Sequence, residues 1–176
     1  MAYTKQEIHE LVLKQREFFL TGKTLEVKYR IEQLKKLKQA IIKNTENITS
    51  ALHEDLWRCD AEAYFCDIGD VIMEIDEYIK GVKKWNKPET HFSGLACFPS
   101  IFTKVYKIPY GVSLIISPFN FPFLLSLGVL AASIAGGNTA LIKASSKSAT
   151  CTQALKEIIA ENFDPNYIIV DRKSVV

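Results

Sequence analysis

From Ile108 to Ile142 the chain runs 35 residues without an Asp, Glu, Lys or Arg, although charged residues make up 24% of the whole. A stretch so free of charge belongs in a protein core or in a bilayer, because both environments penalise an unpaired charge. A membrane span needs about 20 consecutive apolar residues in a helix. Here the run is interrupted by Ser117-Pro118-Phe119-Asn120-Phe121-Pro122 and again by Gly136-Gly137-Asn138, so its one unbroken helical piece, Pro122 to Ala135, has 14 residues. That is too short, and no stable membrane span is expected. Strand, turn, buried helix, turn, strand is the better reading, the arrangement of a parallel α/β sheet whose inner layers exclude charge.

A chain of 176 residues makes one domain, or one domain with a helical extension, and can bury a sizeable core. Its 22 basic and 20 acidic residues nearly cancel to +2, which argues against nucleic acid as a partner and against an anionic membrane surface. Cys59, Cys66, Cys97 and Cys151 form no Cys-x-x-Cys pair, and no histidine is spaced to complete a metal site with them. Reduced thiols and a cytoplasmic location are expected. The opening MAYTKQEIHE has no apolar signal-peptide core, so the Asn47-Ile48-Thr49 glycosylation triplet is read as accidental.

The amino-terminal half has helical periodicity. Ile8, Leu11, Val12, Phe18 and Phe19 recur at helical spacing until Thr21-Gly22-Lys23-Thr24, a break followed by a restart. Val27, Ile31, Leu34, Leu37 and Ile41 form the stripe of a second helix, with Lys35, Lys36 and Lys38 turned toward water. A shorter piece around Ile48, Leu52 and Leu56 leads to a long helix with Phe65, Ile68, Ile72, Ile75, Ile79 and Val82 as its stripe. Asp67, Asp70, Glu74 and Glu77 run beside that stripe and are read as a charged outer face, not as paired catalytic carboxylates. His9, His53 and His91 are isolated, and none is nominated as a ligand.

After Trp85 the composition changes. Pro88, Ser93, Gly94, Pro99 and Ser100 mark a loop or hairpin, and Ile101 to Ile108 alternates as a strand or ribbon would. The expected organisation is a helical segment over 1–87, a loop and β-ribbon over 88–110, and an α/β unit over 111–176. Within that unit a strand, Val112 to Ile116, is followed by a helix opening at Pro122 and closing at Gly136-Gly137, then by a strand from Thr139 to Ile142. A helix from Ser148 to Glu161 and a strand from Tyr167 to Val170 repeat the pattern. Parallel strands joined by a crossover helix put Asn120 and Lys143 just past carboxyl ends on one sheet edge, where open α/β sheets bind ligands. Alone, Asn120 is a turn residue and Lys143 a surface lysine, and the chain has neither Gly-x-Gly-x-x-Gly nor a phosphate-loop pattern. Together, beside a charge-free wall, they are the strong donors available to a ligand.

Tyr110-Gly111-Val112, Ser117 through Pro122, Ala135-Gly136-Gly137-Asn138-Thr139 and Ile142-Lys143-Ala144-Ser145-Ser146 resemble the first cofactor-binding signatures of the NAD(P)-dependent aldehyde dehydrogenases. Upstream, Gln15-Arg16-Glu17-Phe18-Phe19, Thr21 to Thr24, Arg30, Ala51-Leu52 and Asp55-Leu56 are similar to the branch containing the fatty-aldehyde and class 3 enzymes, so the resemblance covers nearly residues 8–170. It implies a complete enzyme that oxidises an aldehyde to a carboxylate through a thioacyl cysteine, with NAD or NADP as cofactor. It further implies that the side-chain amide of Asn120 donates to the oxyanion formed when the thiolate attacks. Lys143 would hold the adenosine ribose, and Ile116, Ser117, Pro118 and Phe119 would line the cofactor cleft. Three positions depart from the family pattern: Phe119 stands where tryptophan is common, Ala144 where proline follows the lysine, and Ser146 where a glutamate also binds the ribose.

Family members continue well past this length, through the general-base glutamate and the nucleophilic cysteine, and the tail from Asp171 to Val176 leaves the family pattern. The expected structure is therefore an incomplete aldehyde dehydrogenase fold: a helical segment, a ribbon and the first half of a Rossmann-like parallel sheet. The 176 residues alone are expected to be inactive, and their exposed strand edge and apolar face to favour homo-oligomers or self-association. The alternative is a noncatalytic short form that pairs with full-length dehydrogenase subunits through the strand at Ile101 to Ile108.

Overall fold

The computed structural model describes residues 4–95 and 98–171. Its first half is helical. Helix α1 (Lys5–Leu20) starts at Thr4, whose hydroxyl accepts from the Glu7 N–H while the Glu7 carboxylate accepts from the Thr4 N–H, a reciprocal capping box. Gly22, at φ 77°, ends that helix and leads through a short 3₁₀ turn into α2 (Val27–Lys43). Helix α3 (Thr45–Leu56) follows, then one turn, α4 (Asp60–Ala63), a π-helical turn at Tyr64–Ile68, and the long α5 (Gly69–Trp85).

The second half is strand and helix in alternation. Strands β1 (Glu89–Phe92) and β2 (Phe102–Val105) form an antiparallel ribbon, with Glu89 opposite Val105 and Phe92 opposite Phe102, and every residue in both is exposed. Strands β3 (Val112–Ile116), β4 (Thr139–Lys143) and β5 (Ile168–Asp171) form a parallel sheet in the order β3-β4-β5. The central strand β4 is buried along its length up to Lys143, as the uncharged run requires. Between β3 and β4 lies a π-helical turn at Leu124–Gly128 continued by α6 (Val129–Gly136), and between β4 and β5 lies α7 (Ala149–Asn162).

The stripes of α2, α3 and α5 meet α6, α7 and the sheet in one continuous core. Leu34, Ile48, Leu52, Ile75, Leu130, Ile134 and Ile142 are all fully buried in it. Each side chain of this size contributes about 1.5–3 kcal/mol on burial. Helix α1 packs on β3 and β4, and its buried Gln15 donates from Nε2 to the Ala140 carbonyl at 2.8 Å, a polar tie from the first helix to the central strand. On the edge strand β3, Ile115 is buried, whereas Leu114 and Ile116 are exposed. No helix among the described residues is long and apolar enough to cross a membrane.

Three local expectations are corrected. The π-helical turn at Tyr64–Ile68 adds a residue to one helical turn and shifts the phase of the stripe, so Phe65 is 71% exposed. The same shift turns Asp67, assigned by periodicity to the outer face, into the core at 1% exposure. Pro122 does not open the following helix, because Pro122 and Phe123 form a turn and helical structure begins at Leu124.

Candidate functional site

The parallel register sets the geometry of the carboxyl edge. Ile116 at the end of β3 lies opposite Lys143 at the end of β4, which in turn lies opposite Asp171 of β5. The Ser117 N–H donates to the Lys143 carbonyl at 3.1 Å and the Ala144 N–H to the Asp171 carbonyl at 3.1 Å, so the sheet extends just beyond each strand before the chain turns away. The sequence-derived candidates Ile116 to Asn120 and Lys143 to Ser146 therefore occupy one edge.

Along that edge the residues differ in exposure. The Ile116 side chain faces out at 67% exposure, while Ser117 is buried and its hydroxyl accepts from the Ser126 hydroxyl at 2.8 Å, joining the strand end to the π-helical turn. Pro118 and Asn120 are exposed, and Phe119 lies under the Lys147 ammonium, 5.2 Å from its ring centre. Lys143 is half-buried and Ser146 exposed. Ala144 is packed at 3% exposure. Among the described residues no hydrogen bond links Asn120 to Lys143; they share an edge, not a contact.

The Asn120 backbone is held by two residues that sequence periodicity did not nominate. Arg58, in the loop between α3 and α4, donates from Nη2 to the Asn120 carbonyl at 2.6 Å, and its guanidinium lies 4.7 Å from the Phe121 ring centre. Its Nη1 forms an ion pair with Oδ2 of Asp67. The other carboxylate oxygen of Asp67 accepts from the N–H groups of Phe123 and Leu124, both at 3.0 Å, and so caps the helical segment that follows. Burial holds the Asp67 carboxyl above the ordinary range, and the Leu124 N–H, the Arg58 charge and the Phe123 N–H offset only part of that rise. A signal for Asp67 was present in the sequence: Ala63, Asp67, Val71 and Ile75 recur every four residues, and all four are buried.

The described cysteines are free thiols, and Cys151 is 1% exposed within α7. Burial and the neighbouring Asp55 carboxylate push its thiol pKa well up, which makes it a packed side chain and not a nucleophile. Clefts of about 300 Å³ by Tyr78, Trp85 and Tyr110, and about 830 Å³ by Ser50, His53 and Tyr64, lie away from the Asn120–Lys143 edge.

Residues 1–171 match the aldehyde dehydrogenase family. The chain is 43% identical over 155 residues to 4,4'-diaponeurosporen-aldehyde dehydrogenase of Staphylococcus aureus, an alignment covering 87% of this chain and 33% of that protein. It is 29% identical over 176 residues to the dimeric NADP-preferring aldehyde dehydrogenase of Rattus norvegicus, covering 96% and 37% respectively. The substrate-bound structure of Staphylococcus aureus AldH superposes with a TM-score of 0.92 at 38% identity, over 96% of this chain and 36% of that one. Succinic semialdehyde dehydrogenase from Streptococcus pyogenes, solved with NADP+, shares the fold at a TM-score of 0.85 and 17% identity, over 99% and 38%. The chain thus spans about a third of the length of these relatives. A helical layer leading into a parallel sheet is the fold those matches share, and the chain belongs to the aldehyde dehydrogenase family.

Proposed function

We propose that this chain is the amino-terminal part of an NAD(P)-dependent aldehyde dehydrogenase that oxidises an aldehyde to a carboxylate. The observation that carries the reading is the β3–β4 register, which sets the Ser117–Asn120 turn beside Lys143 and leaves the Asn120 side-chain amide without a hydrogen-bond partner among the described residues. When a thiolate adds to the aldehyde carbon, the carbonyl π pair moves onto oxygen, and the Asn120 amide N–H meets the charge that forms there.

The edge also suits a dinucleotide. Exposed Ile116 offers an apolar surface, the Lys143 ammonium a donor for ribose hydroxyls, and Ser117, Pro118, Phe119 and Ser146 complete the wall. Bound NAD or NADP would supply the hydride acceptor. Ser146 is shorter than the family's glutamate and neutral, so it neither pairs with the ribose hydroxyls as a carboxylate would nor repels a 2′-phosphate. The reading places the nucleophile and general base outside these residues, so the 176-residue chain by itself leaves aldehydes unoxidised. The free thiols of the described cysteines fit a cytoplasmic location.

Cofactor binding is tested on the chain itself. At 100 times Kd a ligand adds about 2.7 kcal/mol, a rise in Tm of about 5–10 °C for a chain of this size. Lys143→Ala should remove most of that rise. If neither NAD nor NADP moves the Tm, the assignment of a cofactor site at Lys143 fails.

A second reading draws on the ribbon. Phe92 and Phe102 face each other across it at 67% and 59% exposure, and Ile108 beyond it is 83% exposed. In this reading the ribbon joins subunits, either copies of this chain or full-length dehydrogenases, with the exposed β3 edge adding to self-association. Sedimentation that finds a monomer at all concentrations, together with a pull-down that recovers no dehydrogenase subunit, would exclude it.

A further inference from the structure

The turn that carries Asn120 spans only Ser117 to Phe123, yet it is fixed at three points. At its start the Ser117 N–H continues the sheet onto the Lys143 carbonyl at 3.1 Å. At its end the Phe123 and Leu124 N–H groups are held by Asp67 Oδ1 at 3.0 Å each. In its middle the Asn120 carbonyl accepts from Arg58 at 2.6 Å, with the guanidinium against the Phe121 ring. The last two anchors are one object, because Arg58 and Asp67 are ion-paired and are 8% and 1% exposed.

A cap on the helical segment would need the carboxylate alone. The buried cation helps keep that carboxylate ionised, but its second donor makes no contact with the cap. It is desolvated to reach one backbone carbonyl, that of the residue whose side-chain amide is free. Two π-helical turns abut here, Tyr64–Ile68 carrying Asp67 and Leu124–Gly128 beginning where Asp67 binds. Such turns re-aim side chains at the cost of regular helix.

We propose that Arg58 and Asp67 are positioning residues for Asn120. Arg58 fixes the peptide carbonyl and Asp67 fixes both Arg58 and the helix start, so the Asn120 backbone is held at the point from which its side-chain amide reaches the oxyanion. This rests on the functional reading above, in which Asn120 is the oxyanion donor. Neither residue touches the reacting atoms. Both act by holding the Asn120 backbone within the tolerance that such a donor requires, where a misplacement of about 1 Å costs on the order of 100-fold in rate.

Two experiments separate this inference from the reading beneath it. In the complete enzyme of that reading, Arg58→Gln should lower kcat by about 10–100-fold with KM for aldehyde little changed, and Arg58→Lys should restore part of the loss. Asn120→Ala alone should cost about 100–1,000-fold. Arg58→Gln added to Asn120→Ala should cost nothing further, because its effect passes through the missing amide. Multiplying losses would overturn the inference while leaving the dehydrogenase reading intact. A wild-type complete enzyme with no NAD(P)-dependent aldehyde oxidation would instead overturn the reading, and the oxyanion role with it.

The second experiment needs no activity. In the isotope-labelled 176-residue chain, the Asn120 backbone carbonyl carbon, which accepts from Arg58, should resonate downfield in wild type. It should move upfield to the position of a solvent-exposed peptide carbonyl in Arg58→Gln. An unmoved resonance in a folded Arg58→Gln variant overturns the positioning role. If Arg58→Gln does not fold, Phe121→Leu, which removes the ring against the guanidinium and keeps the ion pair, should produce a smaller shift of the same sign, and no shift would be equally decisive.

Discussion

Gly137 and Gly22 form a matched pair from which the worth of one buried arginine can be read. Both adopt the left-handed conformation, with φ of 85° and 77°. An alanine at either position carries the left-handed penalty of about 1–2 kcal/mol. Their surroundings differ. A Cβ on Gly22 meets nothing within 4 Å, whereas one on Gly137 falls 2.8 Å from Cζ and Nη2 of Arg30 and 2.9 Å from its Nε. Arg30 cannot retreat without loss. Its Nε donates to the Thr24 carbonyl at 2.7 Å and its Nη2 to the Leu25 carbonyl at 2.9 Å, while Nη1 reaches Asn86 Oδ1 and the Ala135 carbonyl at 3.1 and 3.3 Å.

The two shortest of these bonds come from the atoms the new methyl would strike. Hydrogen bonds of charged groups contribute about 1.5–3 kcal/mol each, and partial relaxation leaves about 2–4 kcal/mol as the Arg30 share. Gly137→Ala should therefore cost that much more than Gly22→Ala. With a urea m-value of about 2 kcal/mol/M, the midpoint for Gly137→Ala should lie about 1–2 M below that for Gly22→Ala. In an Arg30→Ala background the two glycine substitutions should cost the same. Equal midpoints in the wild-type background would refute the close approach of Gly137 and Arg30, and with it the joint of α2 to the end of α6.

Two more outcomes follow from burial. Burial, aided by the Asp164 charge, pushes the Tyr29 phenol up to about 12, and Tyr167 is raised in the same direction. A folded-state value above the unfolded one of about 10 gives a contribution that is complete below about pH 10 and lost as pH rises toward about 12. Urea midpoints should therefore fall across that window, and Tyr29→Phe should flatten the fall; an unchanged slope would count against burial of the phenol. Leu34, fully buried in α2, should lose about 3 kcal/mol on truncation to alanine, read as a drop in Tm of about 6–12 °C.

What the sequence made legible was whatever depends on local period. The uncharged run from Ile108 to Ile142 carried β3, α6 and β4 with their order, and the parallel arrangement that follows from it puts Asn120 and Lys143 on one edge. The stripes of α2 and α5 likewise gave most of the helical core. Illegible were features that depend on a phase change or on distance along the chain. The π-helical turn moved Phe65 out, which a fixed period of about 3.6 residues could not register, while Asp67 was visible only in the four-residue recurrence of Ala63, Asp67, Val71 and Ile75. Arg58 sits in a loop without periodicity, and its target Asn120 is 62 positions away. The Gly137–Arg30 contact was hidden for the same reason: the glycine was visible as a helix stop, but its neighbour was not.

The Arg58–Asp67 pair raises a question of economy, because buried ion pairs are often matched or bettered in stability by apolar residues of similar volume. Asp67→Asn isolates the charge. The amide oxygen introduced by that substitution would still accept from the Phe123 and Leu124 N–H groups, but Arg58 would remain buried and unpaired, a loss of about 3–5 kcal/mol. Adding Arg58→Met removes that stranded charge and keeps the cap, so the double variant should return to within about 2 kcal/mol of wild type. What it cannot restore is the donor to the Asn120 carbonyl. Urea midpoints should place the double variant well above Asp67→Asn, while the Asn120 backbone loses its fixed position in both. If the double variant were no more stable than the single, the cost would lie in packing around Asp67 and not in an unpaired Arg58. Recovery of stability without recovery of the Asn120 geometry would mean that this ion pair is kept for placement, since a core without it would hold the fold nearly as well.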